Sequence, residues 1–420
     1  MFKKIKSQIS PYLTKDLLPI FFLGFAGGAP FSLIASVLSA WLTELGISKT
    51  SIGLFTLVAV PYSFKYLWSP FIDGLNIPIL KKLGKRRSWL LTTQVFLMAA
   101  IFALGSINPL ENITLCAILA ISVSFFSATQ DIVIDAYRIE RLAVHQQGMG
   151  AAIYSYGYRI ALYISGAVPL IIATYYTWKL AYIFTGMLIL VGAITTLVIK
   201  EPHEHHESTK ERNLLQFLND IIIAPFKNFI KIPEWYYVIA FVILFKLGDA
   251  MAGIMTTPFL LDTGFTKIEI VSIVKTYGLI TTFIGLFIGG LMVNKLSFRK
   301  SLLFSGIAQM LSNLMFVYQD YVGHDMIALV STITVENLAS GMGATVMIAY
   351  LSSLCSLKFA ATQYALLSSI ATLSRNMLSG FSGIVVDRYG WSIFFLVSTL
   401  VALPALMLIS KIQVFNKHRQ

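Results

Sequence analysis

The sequence predicts an all-α polytopic membrane protein with twelve transmembrane helices in two six-helix halves. Hydrophobic residues make up 56% of the 420-residue chain and charged residues only 12%, whereas a soluble protein carries about a quarter charged residues. Apolar segments long enough to cross a bilayer recur along nearly the whole chain. The second half also repeats local patterns of the first, which is typical of transporters built from two similar halves.

The predicted spans alternate with short polar connections. They cover about 17–41, 51–71, 88–107, 113–137, 147–174, 178–199, 235–260, 268–293, 300–319, 326–350, 361–386 and 391–412. Assigning the connections to alternate sides of the membrane places most of the 32 Lys and Arg residues on one side. The positive-inside rule therefore predicts that both termini and the central loop are cytoplasmic.

Internal repetition supports the division into halves. The sequence TELGISKTSIG at Thr43–Gly53 is matched by LDTGFTKIEIV at Leu261–Val271, in each case between a first and a second span. The basic turn GKRRSWLL at Gly84–Leu91 is matched by LSFRKSLL at Leu296–Leu303. The predicted domains are an N-terminal six-helix half at 1–199, a cytoplasmic central loop at 200–234 and a C-terminal six-helix half at 235–420.

A file of polar side chains enters the fourth predicted span. At about 100° per residue, one narrow face collects Ser124, Ser127, Asp131, Asp135 and Arg138. Such a face is too polar to contact lipid. Two carboxylates one turn apart repel each other when both are ionised, so either Arg138 compensates them or one of them holds a proton.

The run from Ser127 to Glu140, SATQDIVIDAYRIE, resembles the fourth helix of the AmpG family, the muropeptide permeases of the major facilitator superfamily. The acetyl-CoA transporter group, a more distant relative, has a similar ATQD segment. The resemblance implies a major facilitator fold and a multi-pass protein of the bacterial inner membrane. It also implies proton-coupled import of anhydromuropeptides, which are GlcNAc-anhydro-muramyl species with attached peptide, for peptidoglycan recycling.

The connection between the second and third spans carries the first gate candidates. Major facilitators typically place a glycine, an acidic residue and basic residues there, which pack the cytoplasmic ends of helices. In this chain Asp73 is followed, after an insertion, by Arg86 and Arg87. We expect these three residues to form a cytoplasmic gate together with Asp135 and Arg138, which lie at the cytoplasmic edge of the fourth span. A proton relay is the alternative role for the charges of the fourth span.

Charged side chains near the middle of the membrane are costly, and are therefore candidates for substrate contact. Arg159 lies about 18 Å into the fifth span and shares a face with Tyr156 and Tyr163. A guanidinium group beside aromatic rings suits a carboxylate-bearing ligand that also contains sugar rings. Lys246 and Arg375 are the other predicted substrate contacts.

Three carboxylates are candidates for proton coupling. Glu336 in the tenth span is the first choice, because its own helix offers no charged partner and a proton could neutralise it. Asp131 is the second candidate, and Asp249 is the third. The structural alternatives are a hydrogen bond from Glu336 to the opposite half and, for Asp249, an ion pair with Lys246 three residues earlier.

Other functional classes find little support in the sequence. The formal net charge of +12 does not indicate nucleic-acid binding, because the basic residues are spread between the spans. No cofactor or metal is predicted, since the two cysteines lie in apolar segments of different halves and the PHEHHE segment of the central loop lacks HExxH spacing. The absence of a P-loop favours an ion gradient as energy source. No HExxH, GxSxG or Cys/His cluster indicates an enzyme, and a non-transporting receptor is the other alternative.

Charge balance within the spans favours an anionic ligand, because cations outnumber carboxylates away from the membrane edges. Muropeptides are anionic, but so are CoA esters and nucleotides. A proton-coupled carrier of another organic anion is therefore the alternative function. The predicted partners are an anionic glycopeptide, protons and the lipid bilayer, and we expect the protein to be a monomer.

Overall fold

The computed structural model describes residues 16–202, 216 and 219–412. All regular elements within these ranges are helices, and no described residue lies in a β-strand. The predicted all-α fold is therefore confirmed. The basic N-terminal segment and most of the predicted central loop, including the PHEHHE segment, lie outside the described residues.

The helices of the first half follow the predicted order of spans. They are α1 at Leu17–Glu44, α2 at 49–74, α3 at Lys85–Leu104, α4 at Ile113–Arg141, α5 at Gln147–Tyr175 and α6 at Trp178–Val198. The stretch α2 is a series of short pieces: Lys49–Leu54, Phe55–Ala59, Val60–Phe64, Lys65–Leu67 and Ser69–Gly74. A 3₁₀ helix at Pro78–Leu83 leads into α3.

The second half contributes six further helical stretches. They are α7 at Trp235–Asp262, α8 at Lys267–Lys295, α9 at Phe298–Val322, α10 at Met326–Leu354, α11 at Ala360–Ser379 and α12 at Ser382–Lys411. Two of them are interrupted: α7 at Lys246, where φ is −103° and ψ is 3°, and α12 at Gly390, where φ is +78°. A short helix at Ala224–Ile230 lies within the predicted central loop.

Ten helices in the described residues are long and apolar enough to cross a membrane. The two predicted spans without such a helix correspond to α2 and α11. In α2, Pro61 and Pro70 lack the backbone N–H that a continuous helix needs. In α11, Gln363, Arg375 and several serines and threonines lower the hydropathy. Both stretches are helical but depart from a uniformly apolar span.

Glycines allow α1 and α5 to approach closely. A Cβ atom on Gly24 would lie 2.4 Å from the carbonyl oxygen of Tyr154, and one on Gly28 would lie 2.2 Å from that of Tyr158. Contacts this short exclude any side chain at these two positions. The glycine-rich part of the first predicted span therefore packs directly against the backbone of α5, which brings α1 against the polar face of α4.

The connections between the first two helices of each half share one local structure. Gly46 and Gly264 both adopt positive φ, at +73° and +96°, a conformation that glycine tolerates best. Ser48 and Thr266 then cap the helix that follows, each accepting a backbone N–H from three residues later. The repeat predicted from the sequence therefore extends to the backbone conformation.

A tryptophan hydrogen bond is repeated in the same way. Trp178 at the start of α6 donates its indole N–H to Glu44 at the end of α1, with an N–O distance of 3.2 Å. Trp391 in α12 donates to Asp262 at the end of α7, also at 3.2 Å. Each half thus joins its first and last helices at the same place through the same chemistry.

The chain groups into two compact units. The first contains Met1–Ala143, Ile153–Lys227 and Cys355–Ser369, and the second contains Val144–Ala152, Asn228–Leu354 and Ile370–Gln420. The apolar core of the first unit includes Leu38, Leu104 and Tyr182. That of the second is rich in aromatic residues, including Phe259 and Phe316. The beginning of α11 belongs to the first unit, where it meets the polar residues described next.

Candidate functional site

The polar face of α4 is buried within the first unit. Asn112 caps the helix by accepting the backbone N–H of Leu115 at 2.8 Å, and the helix continues without a break to Arg141. Asp131, Asp135 and Arg138 expose 6%, 5% and 0% of their surface. Burial of this kind excludes lipid contact and requires the charges to be compensated locally.

Arg138 supplies part of that compensation. Its Nη2 atom lies 3.3 Å from Oδ1 of Asp135. The guanidinium carbon also lies 5.9 Å from the ring centre of Tyr154 in α5 and 5.4 Å from that of Tyr364 in α11, within the range of a cation–π interaction. The ammonium group of Lys65 in α2 is buried as well, and it interacts electrostatically with Asp135.

Asp131 lies in a different environment. Its Oδ1 atom is buried and makes no hydrogen bond within the described part of the chain, an arrangement that costs about 1–3 kcal/mol for a polar group. A Cβ atom on Gly27 of α1 would lie 3.0 Å from this oxygen and 3.6 Å from the Tyr154 hydroxyl. The positively charged Lys65 interacts electrostatically with Asp131. The geometry leaves the carboxyl group of Asp131 able to bind a proton.

A second cluster lies at the end of α2. Arg86 donates to Asp73 at 2.7 Å and to Glu140 at 2.5 Å. Only 3% of the surface of Arg86 is exposed. The carboxylate of Asp73 also accepts the backbone N–H of Ala361 at 3.3 Å and both the N–H and the hydroxyl of Thr362 at 2.7 Å. Asp73 therefore caps the first turn of α11 while it is paired with Arg86.

Arg87 belongs to a separate contact between helix ends. It donates to the backbone carbonyls of Thr196 at 2.9 Å and Leu197 at 2.7 Å, in the last turn of α6. Glu201 accepts the backbone N–H groups of Arg86 at 2.6 Å and Arg87 at 3.0 Å, in the first turn of α3. Burial raises the pKa of the Glu201 carboxyl, and the two N–H groups oppose that effect. The two helix ends thus satisfy each other's unpaired backbone groups.

Two residues in these contacts, Glu140 and Glu201, were not predicted from the sequence. Glu140 lies at the end of the motif in α4 and received no role, and Glu201 directly follows the sixth predicted span. A signal for both existed, since each is a carboxylate at a helix end on the side that carries the basic turn. Glu140 is 54 residues from Arg86 in the sequence, and Glu201 is 115 residues from Arg86. At such separations the sequence alone does not indicate which residues pair.

The second unit holds its own charged cluster at the break in α7. Lys246 lies 3.0 Å from Oδ2 of Asp249 and donates to the backbone carbonyl of Ser340 at 3.2 Å. The Ser340 hydroxyl donates to the same Asp249 oxygen at 3.0 Å. The structure therefore brings Lys246 and Asp249 of α7 together as an ion pair that contacts Ser340 of α10.

The remaining predicted residues are more dispersed. Arg159 and Tyr163 lie one turn apart on α5 and interact electrostatically, and Tyr163 is 43% exposed while Tyr156 is half-buried. Glu336 is half-buried on α10. Arg375 lies near the end of α11 and is exposed. Among the described residues, no group of three or more His, Cys, Asp or Glu side chains could hold a metal ion.

Comparison with known proteins supports the same architecture. Residues 20–375 match the family model of the Major Facilitator Superfamily. The transporter FucP in its outward conformation has a TM-score of 0.69 at 13% identity, covering 96% of this chain and 99% of its own. The proton:xylose symporter XylE has a TM-score of 0.69 at 11% identity, covering 97% and 96%. The predicted major facilitator fold is confirmed.

Sequence relatives narrow the family. The anhydromuropeptide permease of Escherichia coli K12 is 36% identical over 389 residues, which cover 92% of this chain and 77% of that protein. A Rickettsia felis protein named as transporter AmpG 4 is 37% identical over 395 residues, covering 94% and 95%. The predicted relationship is confirmed, and the protein is a membrane transporter and not an enzyme. The chain belongs to the AmpG family of the major facilitator superfamily.

Proposed function

We propose that this protein imports anhydromuropeptides across the bacterial inner membrane by proton-coupled symport. The observation that carries the proposal is the 36% identity with the Escherichia coli anhydromuropeptide permease over 92% of the chain. The identical residues are spread over nearly the whole chain. The similarity therefore covers both halves and is not limited to the motif in α4. The buried charges of the first unit supply a chemical basis for the proton.

Asp131 is the favoured proton-binding group. Asp131 and Asp249 each have one buried oxygen without a hydrogen bond within the described residues. The other oxygen of Asp249, however, is held by Lys246 and Ser340. With both carboxylates ionised, Asp131 and Asp135 balance Lys65 and Arg138. A proton on Asp131 leaves the cluster with an excess positive charge, which favours an anionic substrate. Binding of proton and substrate would thereby support each other.

The predicted substrate contacts are proposed for the same protein. Arg159 and Tyr156 offer a guanidinium group and an aromatic ring at about the middle of α5, which suits a sugar bearing a carboxylate. Lys246 and Arg375 are the proposed contacts from the second half. Glu336 is the second candidate for proton coupling.

Sidedness follows from the distribution of charge. The basic turn before α3 and the basic residues after α6 and α12 lie on one side of the predicted topology. By the positive-inside rule this side faces the cytoplasm, together with both termini. The cluster of Asp73, Arg86 and Glu140 would then form part of a cytoplasmic gate.

Uptake into proteoliposomes tests the proposal. Labelled GlcNAc-anhydro-muramyl peptide is supplied outside, with and without an inward proton gradient, and acetyl-CoA serves as competitor. We expect accumulation that requires the gradient and is insensitive to acetyl-CoA. Competition by acetyl-CoA would instead favour a carrier of CoA esters, and binding without uptake would indicate a receptor.

A further inference from the structure

Two serines on α4 differ from their neighbours in how their hydroxyl groups are used. Ser122 donates to the carbonyl of Ile118 at 2.9 Å, and Thr129 donates to that of Phe125 at 2.7 Å. This bond to the preceding turn is the usual arrangement for a hydroxyl inside an apolar helix. Ser124 and Ser127 are completely buried, yet within the described residues their hydroxyl oxygens make no such bond.

These two serines line up with Asp131. Spacings of three and four residues place Ser124, Ser127 and Asp131 on one face of α4. Tyr62 of α2 reaches the same place: it interacts with Ser127 and Asp131, and its buried hydroxyl makes no hydrogen bond of normal geometry to a described residue. We call Tyr62, Ser124, Ser127 and Asp131 the polar row.

The spacing along α4 is compatible with bridging water molecules. The helical rise is about 4.5 Å from Ser124 to Ser127 and about 6 Å from Ser127 to Asp131. One water that bridges two oxygens spans up to about twice the 2.7 Å of a direct hydrogen bond. Buried polar atoms of this kind are ordinarily satisfied by ordered water.

The polar row also connects two depths of the membrane. Ser124 lies about 16 Å from the beginning of α4, near the centre of a core about 30 Å thick, whereas Asp131 lies closer to the predicted cytoplasmic end. Apolar residues surround the row elsewhere on the helix, including Val123 and Ala128, both fully buried.

We propose that the polar row, with bridging waters, conducts protons between the membrane centre and Asp131. The inference rests on the proposed function, because it supplies the route for the coupled proton. A hydroxyl group both donates and accepts, so Ser124, Ser127 and Tyr62 each receive one proton and pass on another. One proton enters at Ser124, the O–H bond finally formed is that of the Asp131 carboxyl, and every hydroxyl is restored.

The groups that face Asp131 decide how readily it accepts that proton. The charged and titratable neighbours are Tyr62, Lys65, Asp135, Tyr154 and Tyr364. Lys65 contributes a positive charge to this neighbourhood and Asp135 a negative one. The carboxyl group of Asp131 therefore interacts with one cation and one anion.

Tyr62→Phe tests the polar row with the smallest change, because it removes only the hydroxyl group. The matched control is Tyr182→Phe, since the Tyr182 hydroxyl is likewise buried without a hydrogen bond to a described residue but lies against Trp41, away from the row. Ser124→Ala/Ser127→Ala forms the second test, with Ser122→Ala as its control.

Transport in proteoliposomes gives one readout. We expect Tyr62→Phe and the double serine variant to slow gradient-driven uptake about tenfold. This is less than the about 10²–10⁴-fold that a positioned acid or base contributes, because water can partly replace a lost hydroxyl group. Exchange of labelled for unlabelled muropeptide without a gradient should remain unchanged, since it needs no net proton movement. Equal rates in the row variants and their controls would overturn the inference.

Infrared spectroscopy gives a second readout that needs no substrate. The carboxylic acid band that Asp131→Asn removes is followed during transfer from H2O to D2O. The row variants should slow its shift about tenfold relative to both controls, because the proton exchanges through the same groups. An unchanged exchange time would contradict the polar row even if muropeptide uptake is confirmed. Failure of muropeptide uptake with slowed exchange would overturn the substrate and leave the proton route standing.

Discussion

Gly27 of α1 leaves space for the carboxyl group of Asp131. An added Cβ would meet Oδ1 of Asp131 at 3.0 Å, closer than an ordinary van der Waals contact. Because the neighbouring Gly24 and Gly28 pack against backbone atoms of α5, α1 has little freedom to move away. The side chain of Asp131 is the part that must shift.

Gly27→Ala is therefore expected to impair coupling without unfolding the protein. Displacing the carboxyl group costs about 1 kcal/mol, or about fivefold in an equilibrium constant. Gradient-driven accumulation of labelled substrate measures the loss. Gly253→Ala serves as the control, because no atom lies within 4 Å of an added Cβ there. Equal accumulation by both variants would mean that the position of the Asp131 carboxyl is unimportant.

The pair of Lys246 and Asp249 allows structural and substrate-binding roles to be separated. Lys246→Met leaves Asp249 half-buried and without its cation. Because Lys246 is 24% exposed, we expect a cost below the about 3–5 kcal/mol of a fully buried pair. The double variant Lys246→Met/Asp249→Asn removes both charges. We expect its melting temperature in detergent to recover most of the loss.

Uptake by the same double variant decides the role of Lys246. If the lysine serves mainly to neutralise Asp249, uptake should recover together with stability. Persistent loss of uptake in a thermally stable double variant would instead assign Lys246 to the substrate.

At the scale of elements, the ends of α3 and α6 stabilise each other. Arg87 satisfies carbonyl groups at the end of α6, and Glu201 satisfies N–H groups at the start of α3. This exchange explains why two adjacent arginines have different tasks: Arg86 points to the carboxylates of α2 and α4, and Arg87 to a helix terminus. The sequence predicted one shared gate role for both.

The raised pKa of Glu201 leads to a pH-dependent prediction. The Glu201 carboxyl takes up a proton at higher pH in the folded protein than in the unfolded chain, where its pKa has the ordinary value of 4.5. Protonation therefore stabilises the folded state as the pH falls through the raised pKa. The gain in stability is complete below pH 4.5. The melting temperature of the wild type should rise relative to Glu201→Gln over this window. The opposite trend would show that the N–H groups of α3 dominate and keep the carboxylate ionised.

Periodicity determined which parts of these elements could be predicted. The polar face of α4 followed from 100° per residue, because the repeat of a single helix is independent of its neighbours. The partners of that face did not follow, since Tyr154 and Tyr364 come from other helices, and cation–π contacts leave no pattern in the sequence. Pro61 accounts for one break in α2, because proline lacks the N–H that a continuous helix needs, but no proline lies beside the interruption at Lys246.

For the whole molecule, the beginning of α11 is the segment whose position the sequence did not predict. Residues Cys355–Ser369 follow the tenth predicted span, yet they belong to the first compact unit. Asp73 caps their helix, and Tyr364 lies on the guanidinium of Arg138. The twelve-span order and the internal repeat were predictable because hydropathy and spacing are local properties, whereas these attachments depend on the folded arrangement.

Asp73→Asn should loosen this segment. The amide keeps one acceptor oxygen but loses the charge that strengthens the bonds to Thr362 and Arg86, which is worth about 1.5 kcal/mol or more. Hydrogen–deuterium exchange of peptides covering residues 355–369 is expected to accelerate about tenfold. In Asp262→Asn, which alters the bond to Trp391 instead, exchange of these peptides should be unchanged. Protection equal to wild type in Asp73→Asn would assign the attachment to Arg138 and Tyr364.

The repeated indole bonds have a consequence for spectroscopy. Trp178 and Glu44 lie in one compact unit, and Trp391 and Asp262 lie in the other, so each bond persists when a unit moves as a body. The emission wavelength of these two tryptophans should therefore stay constant during turnover. Their emission can serve as an internal fluorescence reference. A dye attached at the first turn of α11 could then report movement of that segment relative to this reference.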